Sequence, residues 1–155
     1  MLFGNKEIFG IEIEYEEDST TFAYIAIYVS NIYIGTLDDV TYLHSFLAAL
    51  ENSFCDVEEL PLRLQQATPK DIFLERFGME NWNDDIDPFN IMLEDTFDPF
   101  SMMIYKSNSN KAVFLWSLWS EHFRDKDYPK GIHYKEIDIS YLNEVVNKCT
   151  DYYLK

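Results

Sequence analysis

The segment Ile8-Phe9-Gly10-Ile11-Glu12-Ile13-Glu14-Tyr15-Glu16 alternates with a period of two. Ile11, Ile13 and Tyr15 fall on one side, Glu12, Glu14 and Glu16 on the other. That is the side-chain period of a β-strand, with one apolar face and one row of carboxylates. Asp18-Ser19-Thr20 has turn composition, and Phe22 to Val29 is a second β-rich run. Ser30-Asn31 makes a tight turn into Ile32-Tyr33-Ile34, which Gly35 closes. The first 35 residues therefore predict an antiparallel meander.

Downstream the period changes. Asp38 or Asp39 is placed to cap a helix over about 40–52, where Tyr42/Leu43, Phe46/Leu47 and Leu50 have helical spacing. Thr68-Pro69 starts a short helix, with Thr as cap and Pro at the first helical position, and Gly78 ends it. Residues 79–100 are irregular, broken at Asp87-Pro88 and Asp98-Pro99, and a long loop with its own hydrophobic residues is often functional. Ser101–Tyr105 and Ala112–Trp119 predict a hairpin around Ser107-Asn108-Ser109-Asn110. Ile132–Ile137 predicts another strand, and Ser140 a cap for a C-terminal helix carrying Tyr141/Leu142, Val145/Val146 and Cys149. Strands, helices, strands and a helix predict an α+β fold: a mainly antiparallel sheet packed on a few helices as one pair of layers, in a single domain over 1–155.

Composition narrows the function. Of 155 residues, 47% are hydrophobic and 17% aromatic, which excludes a mainly disordered chain. No apolar run approaches the length of a membrane span, and Met1-Leu2-Phe3-Gly4-Asn5-Lys6-Glu7 lacks the apolar stretch of a secretory signal, so a cytoplasmic location is expected. The net charge is −16, and it is uneven. Residues 7–105 hold 21 acids and three bases (Arg63, Lys70 and Arg76), a net of −18, whereas 106–155 carry a net of +1. Such a field repels nucleic acid and anionic membranes and attracts basic partners. Cys55 and Cys149 fit no zinc or redox spacing and are expected as free thiols.

Catalytic motifs are mostly missing. There is no G-x-G-x-x-G, P-loop, H-E-x-x-H or G-x-S-x-G, and His44, His122 and His133 stand alone. Glu12, Glu14 and Glu16 form a row rather than the isolated cleft pair that acid–base chemistry uses. Like charges on one sheet face are destabilising, which fits a face kept for a cationic partner. Asn83, Asp85, Asp87 and Glu94 have offsets of a calcium loop, but Pro88 stands where that loop needs Gly, so no metal and no cofactor is expected. Aromatic residues beside acids, such as Trp82 with Asp84, Asp85 and Asp87, suit a protein interface. Trp116 and Trp119 are expected on sheet faces packed by helices.

Two stretches carry a family likeness: the opening 1–15, with Phe3-Gly4 and its Glu-bearing strand, and Tyr33-Ile34-Gly35-Thr36-Leu37-Asp38-Asp39-Val40-Thr41-Tyr42-Leu43, with Gly-x-x-Asp-Asp before a helix. Together they resemble the immunity protein 42 family of bacterial polymorphic toxin systems. The resemblance covers residues 1–50, with the aromatic strand around Trp116 beyond it. It implies a non-enzymatic inhibitor that binds the C-terminal toxin domain of a cognate effector, often in contact-dependent growth inhibition, and often a nuclease with a basic cleft. No catalytic residue carries over. The expected toxin-binding residues are Glu12, Glu14, Glu16, Asp38, Asp39, Trp82, Asp84, Asp85, Asp87, Glu94 and Asp95. A small α+β enzyme or ligand-binding domain with a carboxylate-lined site is the alternative, and the oligomeric state stays open.

Overall fold

The computed structural model of the chain describes residues 1–78 and 84–154. Strands β1 (Leu2–Asn5), β2 (Phe9–Tyr15), β3 (Phe22–Val29), β4 (Ile32–Ile34) and β5 (Val40–Tyr42) form the first sheet. Its order is β1-β2-β3-β4, with β5 also on β3, and every pairing is antiparallel. The meander is as the alternation predicts, and β1 adds an edge that the sequence pattern did not mark. Ser30 (φ 53°) and Asn31 (φ 62°) both adopt left-handed conformations, the two-residue turn that matches strand twist.

Helix α1 (Leu43–Phe54) follows β5 directly. Neither Asp38 nor Asp39 caps it, because residues 40–42 pair with β3 instead of beginning the helix. The Leu43 N–H donates to the Thr21 carbonyl at 3.0 Å, so the strand register satisfies a helix donor that a side chain was expected to hold. Helix α2 (Pro69–Phe77) starts as predicted, with Thr68 Oγ1 accepting from the Asp71 N–H at 3.2 Å. Strands β6 (Phe100–Lys106), β7 (Lys111–Leu118) and β8 (His133–Asp138) make a second antiparallel sheet, and α3 (Ile139–Leu154) closes the chain. Because the helix begins at Ile139, Ser140 lies inside its first turn rather than at its cap.

The α+β class and antiparallel pairing are as expected, but the strands divide into two sheets. The reason lies in β6 and β7, which are apolar on both faces. Met102, Ile104, Phe114 and Trp116 join the main core with the inner face of the first sheet, α1 and α3. Met103, Tyr105, Val113 and Leu115 face the other way, onto Ile72 and Phe73 of α2 and onto Leu60, Leu64, Ile86 and Phe89. A strand buried on both faces reads as a continuous apolar run, and it needs cover on both sides. The first sheet is different. Phe9, Ile11, Ile13, Ile25 and Ile27 fill the core, while Glu12, Glu14, Phe22, Tyr24 and Tyr28 lie on its other face.

The joint between the sheets is aromatic. The Phe9 ring lies 5.3 Å from Phe54 and 6.5 Å from Phe114; Phe54 and Phe114 are 5.8 Å apart, and Phe114 stacks on Trp116 at 5.5 Å. Deleting Phe114 removes contacts to both sheets and to α1. Phe114→Ala is expected to lower unfolding free energy by about 3–5 kcal/mol and leave one cooperative urea transition. Loss of less than about 1 kcal/mol, or two separated transitions, would show that the sheets stand independently. Both cysteines are free. Cys149 is buried among α3 core residues, and burial pushes its thiol up to about 12. Iodoacetamide at pH 8 is therefore expected to label Cys149 only through unfolding, with half-buried Cys55 reacting first; equal native-state rates would contradict the packing of α3.

Candidate functional site

The acids named from the sequence lie in three places. The first is the open face of the first sheet. Glu12 is opposite Ala26 and Glu14 opposite Tyr24, so both stand on that face, and Glu16 follows the strand end. Lys6 Nζ lies 2.8 Å from Glu12 Oε2 and 4.1 Å from the Tyr28 ring centroid. The ammonium hydrogen bond holds the Glu12 carboxyl below the usual carboxylate range, against the effect of its partial burial. Glu14 carries no such partner in register with it, and Tyr24 and Tyr28 flank the row.

The second place is the 3-10 turn Asp84–Phe89, whose Ile86 and Phe89 are buried. Its acids serve the fold. Arg63 grips Asp85 with two bonds, Nη2 to Oδ1 at 2.6 Å and Nε to Oδ2 at 2.9 Å, and reaches Glu75 at 2.6 Å with Nη1. That fork holds Asp85 below its ordinary range. Arg76 pairs with Asp87 at 3.2 Å. Asp84 is exposed at the start of the turn. Trp82 and Asn83 lie outside the described residues. Among the described residues no group of three His, Cys, Asp or Glu side chains is arranged for a metal.

The third place gathers residues far apart in sequence. Gly35, at φ 120°, turns the chain from β4 toward β5, and a side chain there would meet the Phe97 ring at 3.1 Å and the Ile25 carbonyl at 3.2 Å. Only glycine fits that approach. The turn 36–39 thereby sits against the 3-10 segment Asp95–Phe97, whose Phe97 stacks on Phe46 of α1 at 5.5 Å. Opposite lies the chain leaving β7. Trp119 donates its backbone N–H to the Pro99 carbonyl at 3.0 Å and its indole Nε1–H to the Asp98 carbonyl at 2.6 Å. The residue is 63% exposed. The expectation of a Trp119 packed under a helix does not hold: β7 ends at Leu118, and two hydrogen bonds fix the next residue at the rim instead.

Between these walls run two adjoining clefts. One, about 480 Å³, is bordered by Leu37, Asp38, Asp39, Phe123, Arg124 and Asp125. The other, about 440 Å³, is bordered by Asp39, Asp95, Thr96, Asp98 and Trp119. Thr36, Asp39, Pro99 and Ser120 border both. Val40 borders the second cleft and pairs with Tyr24 of β3, so the clefts continue onto the open sheet. Arg124 spans the acid pair, 3.7 Å from Asp38 and 3.8 Å from Asp39. The far wall is held by an internal network. Trp116 Nε1–H donates to Tyr128 Oη at 3.2 Å, the Tyr128 hydroxyl donates to the Tyr33 carbonyl at 2.6 Å, and the Tyr33 hydroxyl donates to Asp125 at 2.7 Å. Burial, with Asp125 beside it, pushes the Tyr33 phenol well above its usual range, so these donors stay protonated at every physiological pH.

Of the residues expected at an interface, the fold brings Asp38, Asp39 and Asp95 to one surface, with Glu94 at the start of their 3-10 segment. It places Glu12, Glu14 and Glu16 on the neighbouring sheet and ties Asp85 and Asp87 into ion pairs away from both. Asp98, Trp119, Arg124 and Asp125 belong to the surface and were not foreseen. Trp119 carried one available signal: it directly follows an apolar strand, next to Ser120-Glu121-His122. None of the helices among the described residues is long and apolar enough to cross a membrane.

Against known proteins, the family model described as immunity protein 42 matches residues 1–152. No curated protein matches the chain, and no solved structure does. The match extends the likeness of the first 50 residues through β6–β8 and most of α3. The chain therefore belongs to the immunity protein 42 family and is an immunity protein against a toxin.

Proposed function

We propose that the chain neutralises a basic toxin domain of nuclease type, from a contact-dependent growth inhibition or other polymorphic toxin system, by one-to-one occlusion of its substrate surface. The observation that carries this reading is the exposed, doubly hydrogen-bonded Trp119, which shares a cleft with Asp39, Asp95 and Asp98 and has Asp38 on the adjoining cleft. A fixed aromatic anchor beside carboxylates is the composition of an interface hot spot for a cationic partner. Carboxylates there stand in for the phosphates of the toxin's nucleic acid. The remaining acids supply field: Glu12, Glu14 and Glu16 on the open sheet, and Asp84, Asp85, Asp87 and Glu94 beyond the clefts. The net charge of −16 steers a basic domain into encounter and repels nucleic acid itself. The chain acts in this reading as a stoichiometric binder in the cytoplasm, without catalysis. Glu12 and Asp85 fit that reading, since their basic neighbours move their pKa down, opposite to what a general acid needs.

Binding kinetics against the purified toxin domain, at several salt concentrations, test the assignment. The Asp38→Asn/Asp39→Asn pair is expected to slow association several-fold and flatten its salt dependence. Trp119→Ala is expected to act on dissociation, speeding it by at least about tenfold, equivalent to about 1.4 kcal/mol or more. Unchanged rates for both variants, with native circular dichroism, would remove this surface from the interface. Reversal of the paired acids Asp85 and Asp87 is expected to cost stability more than affinity.

A further inference from the structure

Strands β6, β7 and β8 set Tyr105, Val113 and Glu136 side by side in one row across the second sheet. Side chains in such a row stand on the same face, here the face covered by α2 and the segment before it. That cover lies over β6 and β7, whereas on β8 Tyr134 and Glu136 are exposed. A cleft of about 480 Å³ is bordered by both the cover and Glu136, within the size range of ligand sites. Leu60, Ile72 and Val113 are buried and give it an apolar floor. Val113 lies near the start of β7 and Trp119 follows its end, so this cleft is separate from the surface described above.

Tyr105 is the buried polar residue of this cleft. It is 5% exposed, and its hydroxyl neither gives nor takes a hydrogen bond among the described residues. Unlike the hydroxyl oxygens of Thr36 and Thr96, the Tyr105 oxygen keeps accessible surface, and the cleft is where the residue borders open space. Burial, with the charge of Glu136 beside it, pushes the phenol up to about 12, so the oxygen keeps its proton and its lone pairs stay open to a donor. Glu136 forms no ion pair among the described residues, and Lys111, near it on the ladder, is taken by Asp138. The donor close to Glu136 is Ser107 Oγ at 3.4 Å, a hydroxyl that also lies 3.3 Å from the Lys111 carbonyl. Glu59 and Lys106, joined by a backbone bridge, border the cleft with charges that cancel, which leaves Glu136 as its net charge.

We infer that this cleft binds an alkylammonium group, its methylenes lying on Leu60, Ile72 and Val113 and its nitrogen donating to Tyr105 Oη, Ser107 Oγ and the Glu136 carboxylate. An ammonium brings three donors and no acceptor, a compact charge on an aliphatic stem, and the cleft offers three oxygen-bearing side chains beside an apolar floor. A neutral alcohol would bring one donor and leave the carboxylate without a counter-charge. A buried hydroxyl without a partner costs stability, and the bound donor removes that cost. A free amine and a lysine side chain of another protein share this chemistry. The assignment goes beyond the toxin-binding reading and does not depend on it.

The test needs only the full chain. n-Butylammonium chloride is titrated into isotopically labelled protein while the backbone amides of Tyr105, Ser107, Val113 and Glu136 are followed by NMR. Saturable shifts centred on these amides are expected, with 1-butanol binding at least several-fold more weakly. Tyr105→Phe keeps the ring and removes the unpartnered oxygen, so it is expected to weaken the ammonium probe several-fold and leave the thermal midpoint unlowered. Glu136→Gln, at an exposed position, checks the charge independently and is expected to bring the affinity down toward that of the alcohol. No saturable shift at these amides, equal binding of butanol and butylammonium, or unchanged affinity in a folded Tyr105→Phe would overturn the inference. Two further titrations distinguish the sources: tighter binding of 1,4-diaminobutane assigns the cleft to a free amine, and tighter binding of N-acetyl-lysine amide assigns it to a protein side chain.

Discussion

Phe9, Phe54, Phe114 and Trp116 hold this structure in register. Their rings come from the first sheet, from α1 and from the second sheet, with centroids 5.3–6.5 Å apart along the chain of contacts. Aromatic packing of this kind is directional as well as apolar, since ring pairs prefer offset and edge-on arrangements. It therefore fixes orientation between two sheets that share no hydrogen bond with each other. The position of the clefts follows from it. One wall hangs from β4 and β5, the other from β6 and β7, and the common core sets their separation together with the Tyr33 bonds to Tyr128 and Asp125. The Phe46–Phe97 stack and the Trp116–Tyr128–Tyr33 chain extend the same constraint to the rim.

This division also explains which acids are free to act. Arg63 and Arg76, two of the three bases between residues 7 and 105, are both held by the Asp84–Phe89 turn and α2. They hold a cover onto the second sheet that apolar contacts alone would leave with uncompensated charge. Around Trp119 the balance is reversed, and Arg124 is the base that spans the acids. Exposed pairs at such distances contribute little to stability. The acids near Arg63 form close ion pairs and Asp38 and Asp39 only the longer Arg124 contacts, although the two groups look alike in composition.

Local pattern made much of the fold legible. Alternation in 8–16 placed β2 and its faces, Ser30-Asn31 placed a turn, and Thr68-Pro69 placed a helix start, because each signal is complete within a few residues. Three features needed distant partners. Residues 40–42 read as helix because Tyr42, Leu43 and Phe46 have helical spacing, yet pairing to β3 claims them first. The split into two sheets depends on where both faces of β6 and β7 find cover. Asp85 and Asp87 read as free acids because their arginines lie 22 and 11 residues away, respectively. For the site, Asp38, Asp39 and Asp95 were found by charge alone, whereas Trp119 takes on meaning only beside the acids that the fold brings to its cleft.

Strand β8 ends the second sheet, and its sequence governs what that edge accepts. The Ile139 N–H bonds the Asn110 carbonyl, so in the ladder of register Lys111–Asp138 residues 133, 135 and 137 bond inward and 134, 136 and 138 turn their amides outward. Two copies joined edge to edge around a two-fold axis must align residues of equal parity. The two longest overlaps then set Lys135 against Lys135 or Glu136 against Glu136. Like charges directly opposed in a ladder are unfavourable, and charge on an edge is how sheets avoid polymerising. An aromatic-rich chain thus keeps a bare sheet edge without becoming a template for its own fibres.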